Sequence, residues 1–202
     1  LRPHSEDGGR LQIQLTPFSS LGSTLLYLDA YRSDSQRSGE DMAYSSVSYG
    51  LMTSLQIERE ASLRLHYRGR KDSHRFKLEG AYDLGAWQPR LALLYARGAA
   101  SSGWAVQGRI RWTPSERLQL DLLADAFDAS SWDSRLYTLT PMLRGEYGAT
   151  LLYGKGAVLG GRVRYRLSSH WQIEGRVQHE HQQRDVRPTK ILFALSLRYR
   201  GW

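Results

Sequence analysis

Apolar and polar residues alternate with a period of two along most of this chain. Between Val47 and Ile57 the odd positions are apolar apart from Thr53, whereas the even positions hold serine, glycine, glutamine and one methionine. Successive side chains of a β-strand point to opposite faces of a sheet, so such a segment carries one apolar and one polar face. Helical spacing of apolar residues is nearly absent. The sequence therefore predicts an all-β protein.

Turn residues divide the chain into thirteen alternating segments. Most of them match the ~9–11 residues with which a tilted strand crosses a bilayer. Pro141 sets two of the segments apart, because proline cannot donate a hydrogen bond to a central ladder. We predict strands at 10–16, 23–32, 44–57, 62–69, 75–83, 90–97, 104–112, 117–127, 135–140, 143–152, 157–167, 171–182 and 190–200.

The apolar face of such strands can pack into a soluble core or contact lipid. Three features favour lipid: arginines on the polar face, aromatic residues near strand ends, and alternating short and long connections. The expected tight connections are 113–116 and 168–170, and the longer ones are 33–43, 69–74, 98–103, 128–134 and 183–189. We therefore expect an antiparallel up-and-down transmembrane β-barrel of about 12–14 strands. A soluble β-sandwich is the alternative.

This interpretation defines three sets of candidate residues. The expected lining of the barrel lumen is basic: Arg64, Arg68, Arg109, Arg111, Arg162, Arg164, Arg166 and Arg176. A basic loop follows the fourth strand: Arg70, Lys71, His74 and Arg75. The expected aromatic girdle at the membrane interfaces consists of Tyr67, Tyr82, Trp104, Trp112, Tyr165, Trp171, Tyr199 and Trp202.

The odd number of predicted strands bears on domain organisation. Single-chain bacterial barrels have an even strand number, and lipid does not tolerate an open sheet edge. We therefore expect residues 1–202 to be one outer-membrane barrel domain that lacks upstream strands or an upstream domain.

Charge and composition narrow the classes of partner. The 202 residues carry a formal net charge of +8, and only four of the 28 cationic residues are lysines. Arginine suits bidentate contacts to phosphate and carboxylate, so an anionic partner is favoured, although genomic base composition can produce the same bias. The longest apolar run, 91–96, is far shorter than a membrane-spanning helix. The lack of cysteine excludes disulfides and thiol chemistry.

No segment carries a specific catalytic or metal-binding motif. His179 and His181 share a strand face, but no third ligand lies at a fixed spacing. Asp121 and Asp125 are roughly 13 Å apart along a strand, which is too far for a catalytic carboxylate pair. The segment 154–156 lacks the remainder of a P-loop and is expected to be a tight turn. We expect no enzyme activity, no catalytic residue, no metal and no cofactor.

Two segments carry a family resemblance. Residues 127–137 read FDASSWDSRLY, and residues 152–156 read LYGKG. They resemble the carboxy-terminal barrel region of helix-hairpin-helix (ComEA-like) outer-membrane proteins of Bacteroidota, and 103–104 and 112–115 are also similar to it. The resemblance covers about 130 residues. It implies the outer membrane of a Gram-negative bacterium and a DNA-binding half upstream of these residues.

The resulting functional hypothesis is a scaffold or accessory subunit of an outer-membrane assembly, linked to DNA handling through that upstream domain. The first alternative is a passive pore with mild anion preference, and the second is an outer-membrane hydrolase. The expected partners are outer-membrane lipid and lipopolysaccharide, the barrel-assembly machinery during insertion, and other outer-membrane subunits. These residues alone do not support nucleic-acid binding, because only Tyr67 and Phe76 accompany the basic stretch from 64 to 77, and both fall on the apolar face.

Overall fold

A computed structural model describes residues 6–18, 22–37, 40–139, 149–183 and 189–199. These residues form thirteen strands and one 3-10 turn, Trp132–Ser134, which confirms the all-β prediction. In the described part of the chain, no helix combines enough length with enough apolar residues to cross a membrane. The strands are β1 (Glu6–Phe18), β2 (Gly22–Arg37), β3 (Glu40–Gln56), β4 (Ala61–Arg70), β5 (Ser73–Tyr82), β6 (Trp87–Arg97), β7 (Ser102–Ser115), β8 (Leu118–Ala129), β9 (Leu136–Leu139), β10 (Ala149–Leu152), β11 (Gly154–Arg166), β12 (Trp171–Gln183) and β13 (Lys190–Tyr199).

Eleven strands form one antiparallel up-and-down sheet in the order β1 to β8, then β11, β12 and β13. Strands that follow each other in sequence pair through almost their full length. The pairing is antiparallel because a short connection cannot make the crossover that parallel strands need. Among the described residues, no pairing joins β1 to β13, so both strands are edges of this sheet. The predicted up-and-down antiparallel arrangement is confirmed.

The strands predicted at 135–140 and 143–152 do not lie in the main sheet. Their described parts, β9 and β10, pair with each other and form a separate two-stranded sheet, here called the covering hairpin. They cannot extend the main sheet at this position, because β8 already pairs with β11 from Ala129 to Leu118. The expectation that these two strands belong to the same sheet as the others was therefore wrong.

The connections also differ from the expected alternation. We call the end of the sheet that carries the turn at 71–72 the upper end, and the opposite end the lower end. The long connections expected at 33–43 and 69–74 are wrong, because pairing continues to Arg37–Glu40 and to Arg70–Ser73. The tight turn expected at 113–116 lies at 116–117, because β7 continues to Ser115 past a register shift. The long upper connection is 130–153, which contains the covering hairpin.

The two faces of the main sheet have opposite chemistry and opposite exposure. Directly paired residues point to the same face, so the register assigns each side chain. The apolar face is open: Leu195 is 79% exposed and Leu122 is 53% exposed. The polar face holds the buried side chains Glu174, Gln178 and Gln107, at 0%, 2% and 4%. This distribution is the reverse of a sheet that packs an apolar core.

Candidate functional site

The polar face carries a large excess of positive charge. Among the described side chains of the main sheet, fifteen lysines and arginines share this face with six acids. The acids are Asp29, Glu79, Asp121, Asp125, Glu174 and Glu180. The cations are Arg10, Arg64, Arg68, Arg70, Arg75, Lys77, Arg90, Arg109, Arg111, Arg162, Arg164, Arg166, Arg176, Lys190 and Arg198. A surface of this kind attracts anions.

The structure places all eight arginines of the expected lumen lining on this polar face. Asp121 brings two of them together: Arg111 Nε lies 2.8 Å from Asp121 Oδ1, and Arg162 Nη2 lies 2.5 Å from Asp121 Oδ2. Gln119 Nε2 donates a further hydrogen bond to Asp121 Oδ2 over 2.8 Å. Asp121 is therefore a shared counterion of these two arginines.

A second network surrounds Glu174, whose side chain is fully buried. Arg164 Nε donates to Glu174 Oε1 over 2.8 Å, and Gln172 Nε2 donates to the same oxygen over 2.5 Å. Arg164 also donates from Nη1 to Gln119 Oε1, which links this network to Asp121. A buried carboxylate needs such charged and polar partners.

Smaller ion pairs lie on the polar face of the amino-terminal strands. Arg10 Nε is 2.6 Å from Asp29 Oδ1, and Lys77 Nζ is 2.6 Å from Glu79 Oε2. Arg64 approaches Glu79 only to 4.0 Å and is largely exposed. These pairs neutralise some of the acids and leave the excess of cations in place.

The covering hairpin lies across the polar face and is held there by hydrogen bonds. Gln107 Nε2 donates to the Tyr137 carbonyl over 3.5 Å, and Arg109 Nη2 donates to Thr138 Oγ1 over 3.2 Å. From the other side, Gln178 Nε2 donates to Thr150 Oγ1 over 3.0 Å, and Gln182 Nε2 donates to the Leu151 carbonyl over 3.2 Å. The hairpin thus bridges β7 and β12 across the polar face.

A small apolar cluster fixes the same hairpin. Leu136 and Leu152 are 4% and 0% exposed and pack against Phe127 of β8 and Val158 of β11. Ala96, Ala105 and Leu123 complete this cluster. Gly103 also permits the close approach, because a Cβ there would lie 2.7 Å from the Ser134 carbonyl oxygen. This is the main buried apolar contact of the described residues.

Sequence reasoning missed the covering hairpin, but a signal was present. Leu123 and Phe127 occupy positions that the alternation assigns to the polar face of β8, and Val158 does the same in β11. Apolar residues on an otherwise polar face indicate that another segment covers them.

Aromatic side chains form two belts on the apolar face. The upper belt crosses four strands through directly paired residues, Tyr67 to Phe76, Phe76 to Tyr95 and Tyr95 to Trp104. Tyr49 extends it, with its ring centroid 6.1 Å from that of Tyr67. The sequence had assigned only Tyr67 and Trp104 to the girdle at this end.

The lower belt contains the other described girdle residues. Trp112 stacks on Trp87 with 5.1 Å between ring centroids, and Trp171 packs at 5.1 Å against Tyr199. Tyr82 and Tyr165 lie at the same end of the apolar face. Trp87 was missed because it precedes the predicted start of its strand, and Trp202 lies outside the described residues.

The predicted basic loop divides between the two faces. Arg70 and Arg75 lie on the polar face, and Lys71 lies in the turn between β4 and β5. His74 is on the apolar side, where its Nδ1 is 2.9 Å from the Tyr67 hydroxyl. The four residues therefore do not form one continuous surface.

The segments considered for catalysis and metal binding occupy ordinary strand positions. His179 and His181 lie on the apolar side, whereas Glu180 lies on the polar face. Residues 154–156 begin β11 rather than forming a tight turn, with Gly154 at a φ of 81° and Lys155 paired to Gln183. Within the described residues, no group of three His, Asp or Glu side chains could hold a metal ion.

A scan against protein-family models and a search of curated proteins gave no match to this chain.

Proposed function

We propose that this chain forms the lipid-embedded wall of a bacterial outer-membrane β-barrel, and that its polar face lines an aqueous interior which admits anions. One observation carries this proposal: the exposed face is the apolar one. Between the upper and lower belts, the described apolar face of β4 to β8 and β11 to β13 contains no Asp, Glu, Lys or Arg. A sheet in water exposes charge on its open face, whereas a sheet in lipid exposes hydrocarbon.

The separation of the belts supports the proposal. Trp104 and Trp112 lie eight residues apart on β7, which corresponds to about 27 Å along the strand. An outer-membrane barrel carries an apolar band about 25 Å tall between aromatic girdles. The belts therefore have the spacing expected for the two interfaces of such a membrane.

The charge of the polar face favours anions as the solutes. Cations outnumber acids there, and most acids already pair with an arginine or lysine. The covering hairpin narrows the space beside β7, β8, β11 and β12, so a solute would pass beside it. The interior is then selective by both charge and size.

A scaffold or accessory role in an outer-membrane assembly is the second candidate. The covering hairpin favours it, because hydrogen bonds from β7 and β12 hold this segment across the polar face. In the described part of the chain β1 and β13 are also edges of the sheet, and this favours the scaffold, since an unpaired edge in lipid requires another strand. Under either role we propose lipid, lipopolysaccharide and the barrel-assembly machinery as partners.

The proposed source and wider role rest on the resemblance alone. The segment 127–137 supports assignment to ComEA-like outer-membrane proteins of Bacteroidota. An upstream helix-hairpin-helix domain would then connect the barrel to DNA handling. These residues themselves carry no part of that activity.

Reconstitution of the purified protein into planar bilayers tests the proposal. An anion-selective reversal potential in a potassium chloride gradient is the expected result. Insertion into liposomes without any current would favour the scaffold. Failure to enter liposomes, with the protein remaining soluble without detergent, would overturn the membrane assignment itself.

A further inference from the structure

We propose that Arg68, Arg75 and Arg135 form a binding site for a phosphoryl group or a similar tetrahedral oxyanion at the upper end of the polar face. We call these three residues the arginine cluster. The site deepens the proposed function and rests on it in one respect, because it requires the polar face to contact water that contains the anion.

Three arginines from different segments lie near one another here. Arg68 of β4 and Arg75 of β5 are directly opposite each other in the register. Arg135 comes from the segment that leads into the covering hairpin, and both Arg135 and Arg68 are close enough to Arg75 to interact with it electrostatically. Tyr137 joins the cluster, with the Arg75 guanidinium carbon 5.9 Å from its ring centroid.

Like charges at directly opposite positions of a sheet destabilise it, so each such pair needs compensation. Arg162 opposes Arg176, and Asp121 binds Arg162. Arg90 opposes Arg109, and here Glu79 acts on Arg90 while Asp125 acts on Arg109. The polar face thus compensates both of these arginine pairs with acids.

The Arg68–Arg75 pair receives less compensation: within the described ranges only Asp29 acts on it, through Arg68, and Asp29 also binds Arg10 at 2.6 Å. Arg135 adds a third positive charge beside it, and no ion pair of Arg68, Arg75 or Arg135 occurs within the described ranges. An external anion would supply the missing negative charge.

The fixed orientation of Arg135 favours an oxyanion. Its Nη1 donates to the Trp132 carbonyl over 2.7 Å, and its Nε donates to the Tyr137 hydroxyl over 3.0 Å. The guanidinium also lies 4.5 Å from the Trp132 ring. These contacts use Nε and Nη1 of Arg135, so its Nη2 can donate to an anion. The Tyr137 hydroxyl accepts from Arg135 and can donate its own proton to the same anion. Guanidinium groups match the oxygens of phosphate in geometry and charge.

Binding of inorganic phosphate to the purified full chain in detergent, measured by isothermal titration calorimetry, tests the site without any need for conductance. We expect Arg75→Gln and Arg135→Gln each to weaken binding by about tenfold or more, because each removes a charged hydrogen-bond donor. Arg117→Gln removes the same charge from the exposed lower turn and should leave affinity within about twofold. Arg75→Lys keeps the charge and should give an intermediate loss, which separates ligand contact from misfolding.

Two arms distinguish the source of the phosphoryl group. If phosphate binds to the protein in detergent and competes with chloride, the phosphoryl group belongs to a dissolved anion. Binding only to nanodiscs that contain phosphatidylglycerol would instead indicate a lipid headgroup, and would overturn a site on the solute side of the wall. Undetectable binding of phosphate at millimolar concentration, or equal affinity in the wild type, Arg75→Gln and Arg135→Gln, would overturn the arginine cluster as a site. A conductance without phosphate binding would reject this site and retain the proposed function. Phosphate binding without any conductance would retain this site and reject the anion passage.

Discussion

Arg164 of β11 and Glu174 of β12 are directly opposite in the register and form an ion pair on the polar face. Their Nε and Oε1 atoms are 2.8 Å apart, and the Glu174 side chain has no exposed surface. A buried pair of this kind contributes little net stability, but loss of one partner leaves an uncompensated charge. The polar face therefore depends on specific pairing rather than on hydration alone.

Glu174→Ala should lower the free energy of unfolding by about 3–5 kcal/mol, because Arg164 and Gln172 lose their shared acceptor. Urea unfolding in liposomes measures this change. Glu116→Ala, in the exposed turn between β7 and β8, should change stability by less than about 0.5 kcal/mol. Equal effects of the two substitutions would show that Glu174 is hydrated rather than buried.

Leu195→Arg tests which face contacts lipid. Leu195 lies near the middle of β13 on the apolar face, so an arginine there should cost about 2–4 kcal/mol of folding free energy in a bilayer. Ser196→Arg is the matched control: it places the same side chain one position further, on the polar face opposite Glu174. We expect Ser196→Arg to be nearly neutral in the same unfolding assay. A harmless Leu195→Arg together with a costly Ser196→Arg would reverse the assignment of the two faces.

In β8 the sequence pattern predicts the face of each side chain but not the segment that covers it. The alternation of 118–126 placed Leu122 on the apolar face and Asp121 on the polar face, as the structure does. A period of two fixes the face of each residue once the strand exists. It could not identify which segment covers Leu123 and Phe127, because their packing against Leu136 and Leu152 is a tertiary contact.

The sequence pattern also could not identify the acid with which each arginine pairs. The pattern assigned Arg111 and Arg162 to one face, but they are 51 residues apart in numbering and meet only because β8 lies between β7 and β11. The same limit applies to Arg135, which begins the strand predicted at 135–140, because its proximity to Arg75 of β5 is a tertiary contact. The hydrophobic pattern and the turns set the register within a hairpin, but they do not specify that β8 pairs with β11 across residues 130–153.

Arg166→Glu should reduce the anion selectivity of any current. Arg166 is exposed on the polar face near the lower end, so the substitution reverses a charge in the proposed passage and disturbs no ion pair of the described residues. The measurement is the reversal potential in a potassium chloride gradient. Lys155→Glu, on the apolar side at the upper end, changes charge equally and should leave the potential unchanged. If both variants shift it alike, surface charge rather than the polar face sets selectivity.

Gly103→Val should displace the covering segment. A Cβ at Gly103 would lie 2.7 Å from the Ser134 carbonyl oxygen and 2.9 Å from the Ala129 Cβ, so the added side chain has no space while residues 131–139 stay in place. We expect faster hydrogen–deuterium exchange in 131–139 and, if the chain conducts, a larger single-channel conductance. Gly108→Val is the control, because a Cβ there has only an ordinary contact, 3.5 Å from the Ala124 carbonyl oxygen. Faster exchange with unchanged conductance would mean that the solute path does not pass the hairpin, whereas unchanged exchange would show that this glycine does not hold the segment against the polar face.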